Sequence, residues 1–196
     1  MVKYPPGTLG ALSAITVGST LKYNGRPAGG FQFVGLVFIA AGEADTGAAT
    51  DAHVVRAFHH EASHALMDAH GAAFDAARFR AALPERFKYR DELPGVVGAA
   101  VAKEAPPGPC EDSPSLDLLA EGFLVPWAKD SLHEDFSSYA EVLLRKPGLL
   151  LDLFAPDTRI GRKARVVRDF YVTLDPRFAQ VFESARSAPV EHPPDR

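Results

Sequence analysis

Apolar and polar positions follow two different periods in the first part of the chain. Residues 12–41 are rich in Ile, Val, Thr, Tyr and Phe on either side of the segment NGRPAGG, and they end in FQFVGLVFIAA. This pattern predicts a strand, a turn and a second strand. The polar stretch GEADTGAATD then predicts a loop, and Asp51 is placed to cap a helix that begins near Ala52. An apolar face at helical spacing follows, made by Val54, Phe58, Ala62, Ala65 and Ala69.

Short periodic segments and one long irregular segment occupy the middle of the chain. Gly71 is a helix-breaking position, after which AAFDAARFRAAL predicts a second helix that ends before Pro84. Residues 84–118 contain many prolines and glycines and show little periodicity. They predict a long loop or insertion that borders a cleft.

The C-terminal part carries the pattern of packed helices. Ser131 followed by Glu134 is a capping-box pattern at the start of a third helix. The apolar face of that helix is formed by Leu132, Phe136, Tyr139, Ala140, Leu143 and Leu144. Residues 162–186 predict two closing helices that are divided near Asp175 and Pro176.

These elements together predict an α+β fold. A small N-terminal β-sheet packs on the first long helix, and a mainly helical C-terminal half follows. We expect a single domain over residues 1–185 and a disordered tail over residues 186–196.

Composition and charge narrow the class of protein. With 196 residues, 46% hydrophobic and 23% charged, the chain is expected to be a soluble globular protein. It would be cytoplasmic if the N-terminus shown is native, and secreted if a signal has been removed. A net charge of -4 gives no indication of nucleic acid as a partner, and the apolar runs are too short for a membrane span. The single cysteine cannot build a thiolate metal site, so histidines and carboxylates must hold any metal.

The segment FHHEASHALMDAHG, residues 58–71, concentrates metal-binding side chains on the first helix. His60, Glu61 and His64 form the pattern H-E-x-x-H, in which two imidazoles one turn apart hold zinc and the glutamate acts on a bound water. A chance occurrence is the alternative. The predicted apolar face behind the motif and the strand before it favour a metal site.

Zinc needs a third protein ligand, and the sequence offers two candidates. His70 fits the extended pattern H-E-x-x-H-x-x-G-x-x-H, except that Met67 stands at the glycine position. Methionine favours continued helix, which would direct His70 away from the metal. The other candidate is Glu134 on the third helix, whose alternative role is to complete the capping box of Ser131.

Two segments carry a resemblance to a known family. FHHEASHAL at 58–66 and FLVPWAKDSLHEDFSSYAE at 123–141 resemble the gluzincins, the zinc metallopeptidases with a distal glutamate ligand. They are most similar to the branch that contains the catalytic domain of anthrax lethal factor, the Pro-Pro endopeptidases and the zinc-binding metallopeptidases of bacterial genomes. The resemblance covers roughly residues 30–182. It implies a zincin-like fold, a Zn²⁺ cofactor and a protein or peptide substrate, with His60, His64 and Glu134 as metal ligands and Glu61 as general base.

The sequence departs from this family at two positions. Trp127 stands where the family has a tyrosine that donates a hydrogen bond to the oxyanion, and an indole N–H can donate one bond but cannot cycle a proton. Tyr139 or His133 is then a candidate for that role. Ser138 stands where the family has a carboxylate four residues after the third ligand, so Asp135 or Glu141 is a candidate to orient a metal-bound histidine.

The sequence therefore predicts a zinc metalloendopeptidase. The FQFVGLVFIAA strand would pair with an extended substrate, unless it is an inner strand of the sheet. The alternatives are a zinc-binding domain with impaired catalysis that acts as a binding module, and a zinc hydrolase of non-peptide amides. His59, beside the motif, is a candidate for contact with the substrate or with the residues that surround the metal ligands. The basic residues either steer an acidic substrate or form a solvated helix face: Arg159, Arg162, Lys163, Arg165 and Arg168.

Overall fold

The fold combines a small N-terminal β-sheet with a mainly helical remainder, as the sequence predicts. A computed structural model describes residues 4–23, 26–41, 51–94 and 115–186. The strands are β1 (Ala14–Gly18), β2 (Leu21–Tyr23), β3 (Arg26–Ala28), β4 (Gly30–Phe33) and β5 (Leu36–Ala40). The helices are α1 (Asp51–His70), α2 (Ala76–Arg80), α3 (Leu116–Glu121), α4 (Leu132–Arg145), α5 (Pro147–Leu151), α6 (Arg159–Leu174) and α7 (Arg177–Arg186).

The main sheet has the strand order β1-β5-β4, with β1 parallel and β4 antiparallel to β5. The segment FQFVGLVFIAA is thus a hairpin and not the single strand that its sequence predicts. Val34 and Gly35 form its turn with φ angles of 48° and 76°, and a type I′ turn requires positive values at both of its central residues. A valine seldom adopts this conformation, and the pattern therefore gives no turn signal there. The predicted turn NGRPAGG likewise contains β3 and the start of β4.

Helix α1 lies between the sheet and the helical half of the molecule. Helix α1 packs against β4 and β5, and it also packs against α4. Val37, Ile39 and Ala57 form a small core under the sheet, whereas Leu66 belongs to the larger helical core. The predicted break is confirmed, because α1 ends at His70 and a 3-10 turn begins at the next residue.

The helical half confirms the later elements and corrects their lengths. Helix α4 and the two closing helices α6 and α7 are present. The predicted second helix is shorter, because Asp75 caps α2 and the helix ends at Arg80. Part of the predicted loop 84–118 lies outside the described residues, at 95–114, and its last residues belong to α3, which Ser115 caps. The predicted tail starts at the last residue of α7, and residues 187–196 lie outside the described part.

The basic residues of α6 do not form one solvated face. Lys163 is fully buried, and its ammonium donates to Asp135 Oδ2 at 2.6 Å and to the carbonyl of Gly122 at 2.8 Å. Arg159 donates to the carbonyl of Ala82. Within the described ranges, no helix combines the length and apolar character needed to cross a bilayer.

Candidate metal centre

Helices α1 and α4 bring two histidines and one glutamate to a single point. His60 Nε2 lies 3.2 Å from His64 Nε2 and 3.1 Å from Glu134 Oε2. His64 Nε2 lies 3.6 Å from Glu134 Oε1. These three residues form a group that could hold a metal ion, with ligand atoms all within 4.8 Å of one another.

The spacing of these atoms fits a tetrahedral ion. Zinc ligands at about 2.0–2.1 Å in tetrahedral geometry lie roughly 3.3–3.4 Å from each other. The two imidazole nitrogens are 3.2 Å apart, and each lies close to that value from one of the two carboxylate oxygens of Glu134, at 3.1 Å for His60 and 3.6 Å for His64. Two imidazole nitrogens and a carboxylate oxygen are also a donor set that zinc accepts, with a fourth position left for water or substrate. The residues present therefore fit the ion that the motif predicts.

Helix α4 presents Glu134 to the histidines through its N-terminal cap. Ser131 Oγ accepts the backbone N–H of Glu134 at 3.0 Å, which is one half of the predicted capping box. The Glu134 carboxylate lies against His60 and His64 instead. The cap thus fixes the first turn of α4, and the side chain remains available as a ligand.

In the absence of a metal, His60 and Glu134 each shift the pKa of the other. Burial disfavours the charged imidazole of His60, but the carboxylates of Glu134 and Glu141 outweigh it and raise the His60 pKa well above its usual value. Burial likewise favours a neutral Glu134, yet His64 and His60 hold the pKa of its carboxyl well below the usual range. The pairing therefore favours a protonated His60 beside an ionised Glu134 when no metal is bound.

Glu61 lies buried between the two histidines on α1, directly under the edge strand β4. Its side chain is so close to Gly30 that a Cβ on Gly30 would lie 2.8 Å from Glu61 Cγ and 2.9 Å from Oε1. Burial raises the pKa of the Glu61 carboxyl, and the positive charge of His60 and His64 partly opposes this. The Glu61 carboxylate is therefore held in a confined, weakly solvated position, which the motif alone does not reveal.

The remaining histidines of the crowded stretch lie elsewhere. His70 is exposed at the end of α1, because Met67 is buried in the core and the helix continues past it. His59 is buried, with Nδ1 3.1 Å from the hydroxyl of Tyr4, and burial lowers its pKa to about 4. The predicted contact of His59 with substrate is therefore wrong, since the ring faces the protein interior.

The structure also corrects the prediction for Tyr139. Its hydroxyl is fully buried and donates to the carbonyl of Gly122 at 2.9 Å. Five residues after Glu134, it lies about 140° round the helix from that ligand. The other tyrosine side chains that the structure describes are also engaged away from the cluster, Tyr4 with His59, Tyr89 with Asp135 and Tyr171 with Ser63.

Trp127 and His133 occupy different environments. Trp127 is half-buried in the 3-10 turn Pro126–Lys129 and packs against the larger core. His133 is exposed, and its ring lies nearly parallel to that of His64 at a centroid distance of 6.2 Å. Of the two residues predicted to replace the family tyrosine, the structure brings only His133 beside the metal cluster.

Two residues that the sequence does not point to, Asp68 and Gln32, connect His133 to neighbouring elements. Asp68, one turn after His64 on α1, places Oδ1 3.6 Å from His133 Nδ1. With its amide oriented to satisfy both groups, Gln32 of β4 donates to Asp68 Oδ2 at 3.2 Å. The three side chains thus connect the edge strand, α1 and α4 beside the cluster. Their spacing in sequence carries no signal, because three separate elements supply them.

Comparison with protein-family models, with curated proteins and with solved structures finds no match.

Proposed function

We propose that the protein is a zinc-dependent metallopeptidase. The observation that carries the proposal is the convergence of His60, His64 and Glu134 from two helices, with the buried carboxylate of Glu61 next to them. This arrangement combines a three-ligand metal position with a base of raised pKa. It is a constellation that can hydrolyse an amide bond with a metal-activated water.

Each residue of the site has a distinct task in this reaction. His60, His64 and Glu134 hold the ion, which when bound lowers the pKa of a water molecule and polarises the substrate carbonyl. Glu61 accepts the proton of the attacking water and passes it to the leaving amine. Burial raises the pKa of the Glu61 carboxyl, and the charges of His60 and His64 partly oppose this; a higher pKa strengthens the carboxylate as a base.

An extended peptide is the substrate form that the fold favours. Strand β4 lies at one edge of the described sheet, next to Glu61, whereas β5 is the inner strand. A substrate would therefore pair with β4 and not with β5. A peptide can add to such an edge through main-chain hydrogen bonds. Phe33 and Val34 at the hairpin tip are 66% and 76% exposed, and they provide apolar surface for its side chains.

The proposal is tested by metal content followed by cleavage. We expect near one zinc per chain in the purified protein by mass spectrometry, and a sharp loss in Glu134→Ala. Glu85→Ala, at a 91% exposed side chain, is the matched control and should keep its zinc. A peptide library, analysed by mass spectrometry, should be cleaved by the native protein and not by Glu61→Gln with zinc bound. A native protein that holds no zinc after reloading would contradict the proposal.

A catalytically impaired zinc-binding module is the second candidate. The observation that favours it is the engagement of Tyr4, Tyr89, Tyr139 and Tyr171 away from the cluster, together with Trp127 at the position of the family tyrosine. Trp127→Tyr distinguishes the two candidates. The impaired module predicts zinc without cleavage in the native protein and a gain of cleavage in the variant. Equal cleavage by both would favour the active peptidase.

A further inference from the structure

We propose, on the basis of the metal site described above, that Glu141 is the positioning residue that orients His60 toward the ion. Glu141 lies on α4, two turns after Glu134, and contacts the side of the imidazole that faces away from the cluster. The same helix therefore supplies one metal ligand and the group that fixes another.

The two nitrogens of His60 face different partners. Nε2 lies 3.1 Å from Glu134 Oε2 and 3.2 Å from His64 Nε2, whereas Nδ1 lies 3.5 Å from Glu141 Oε2. A histidine that binds metal through Nε2 carries its proton on Nδ1. A carboxylate near Nδ1 accepts a hydrogen bond from that N–H group, which selects the tautomer and fixes the plane of the ring.

Glu141 is itself held on its second oxygen. Oε1 lies 3.6 Å from Arg145 Nη1, one turn further along α4, and 4.0 Å from Arg56 Nε on α1. The side chain of Glu141 is only 6% exposed. Because the arginines contact Oε1 and the imidazole faces Oε2, the carboxylate can hold both sets of partners at once. This arrangement joins α1 to α4 behind the metal position.

The neighbouring side chains cannot take over this task. Ser138 stands where the resembled family has a carboxylate, but its hydroxyl donates to the backbone carbonyl of Asp135 at 2.8 Å. The Asp135 carboxylate is bound by Lys163 and Tyr89 in the core. Seven residues after Glu134, Glu141 returns to nearly the same face of α4 as that ligand. It is the described carboxylate on this face that reaches Nδ1 of His60.

A role limited to the ion pairs with Arg56 and Arg145 is the competing explanation, and a double-mutant cycle separates the two. Zinc affinity is measured by competition with a chromophoric chelator for the native protein, Glu141→Gln, His60→Ala and the double variant. We expect Glu141→Gln to weaken zinc binding about 10- to 100-fold in the native background. The same change should have almost no effect when His60 is already absent. Equal losses in both backgrounds, or an unchanged affinity in Glu141→Gln, would overturn the proposal.

A second measurement does not depend on how the variants fold. Nitrogen-15 NMR of the zinc-loaded native protein should show His60 protonated at Nδ1, with slow exchange of that proton. A spectrum in which Nδ1 lacks the proton would refute the role of Glu141. The outcome is also independent of peptidase activity. A native protein that binds zinc but cleaves no peptide would refute the proposed function and leave the inference about Glu141 in place.

Discussion

Glu134 and Asp135 are adjacent at the start of α4, yet their carboxylates serve different parts of the protein. Glu134 lies against His60 and His64 at the metal position, and Asp135 pairs with the buried ammonium of Lys163. One turn of helix therefore connects the candidate metal centre to the helical core. The ligand position depends on this connection, because a shift of α4 in the core would move the Glu134 carboxylate directly.

The His60–Glu134 pair predicts that zinc and a proton compete for the site. On the proposed function zinc binds the neutral imidazole of His60, whereas the raised pKa of His60 favours the protonated ring in the metal-free site. Zinc affinity should therefore rise with pH until the raised pKa of His60 is passed. Calorimetry in two buffers of different ionisation enthalpy should detect about one proton released per zinc near pH 7. Identical heats in both buffers would contradict this prediction.

The same pair predicts how the stability of the metal-free protein depends on pH. The contribution of Glu134 is present above the ordinary carboxyl pKa and is lost as pH falls through its lowered folded value. The contribution of His60 is present below the ordinary imidazole pKa and is lost as pH rises through its raised folded value. The difference in unfolding free energy between native protein and Glu134→Gln should therefore be largest between these limits, near pH 5–6. Urea denaturation at several pH values, with chelator present, measures it.

Gly30 predicts a defect in turnover that leaves metal binding unchanged. An alanine Cβ there would lie 2.8 Å from Glu61 Cγ and 3.0 Å from the carbonyl of Phe38, so the base or the edge strand must shift. On the proposed function, Gly30→Ala should lower kcat by about 100-fold, the cost of a misplacement near 1 Å, with zinc content unchanged. Gly10→Ala, where the added Cβ meets nothing within 4 Å, is the control. Native turnover in Gly30→Ala would show that Glu61 tolerates the contact.

Local patterns in the sequence predict the elements that carry the site. The helical spacing of apolar residues predicts α1 and α4, and the cap at Ser131 predicts where α4 begins. The H-E-x-x-H spacing places His60 and His64 on one side of α1. The residues themselves leave Glu134 and His70 as candidates for the third ligand, and the family resemblance implies Glu134. No local pattern relates residues 74 positions apart.

Three features of the structure depend on contacts or conformations that local sequence patterns do not encode. The sequence does not predict the turn of the β4–β5 hairpin, because Val34 adopts a conformation there that is rare for valine. The helical pattern places Lys163 of α6 on a solvated face, but the residue is buried because it pairs with Asp135 of α4. Asp68 and His133 meet only because α1 and α4 pack together.

Tyr139→Phe should test the structural assignment of that hydroxyl. The change removes one buried hydrogen bond to the carbonyl of Gly122, which still accepts from Lys163. We expect a loss of about 1 kcal/mol in unfolding free energy, measured by urea denaturation. On the proposed function, peptide cleavage and zinc affinity should remain within about twofold of native, because the hydroxyl is buried in the core. A large loss of kcat at unchanged stability would restore a catalytic role for Tyr139.

The pair of Lys163 and Asp135 predicts a strong and rescuable loss of stability. Both side chains are fully buried, and Lys163→Met would leave the Asp135 carboxylate with only Tyr89 as a side-chain partner. We expect a loss of about 3–5 kcal/mol in unfolding free energy at pH 7, the usual cost of an uncompensated buried charge.

The rescue and its pH dependence distinguish this mechanism from simple loss of packing. Lys163→Met combined with Asp135→Leu removes both charges, and it should recover most of the stability. Burial raises the pKa of Asp135 to about 6 even beside Lys163, and removal of the ammonium should raise it further. A folded-state pKa above the unfolded value means that the folded protein binds more protons, so Lys163→Met should gain stability as the pH falls from 7 to 5. Urea denaturation of the native protein and Lys163→Met at pH 7 and pH 5 tests this prediction. A packing defect would lower the unfolding free energy by the same amount at each pH.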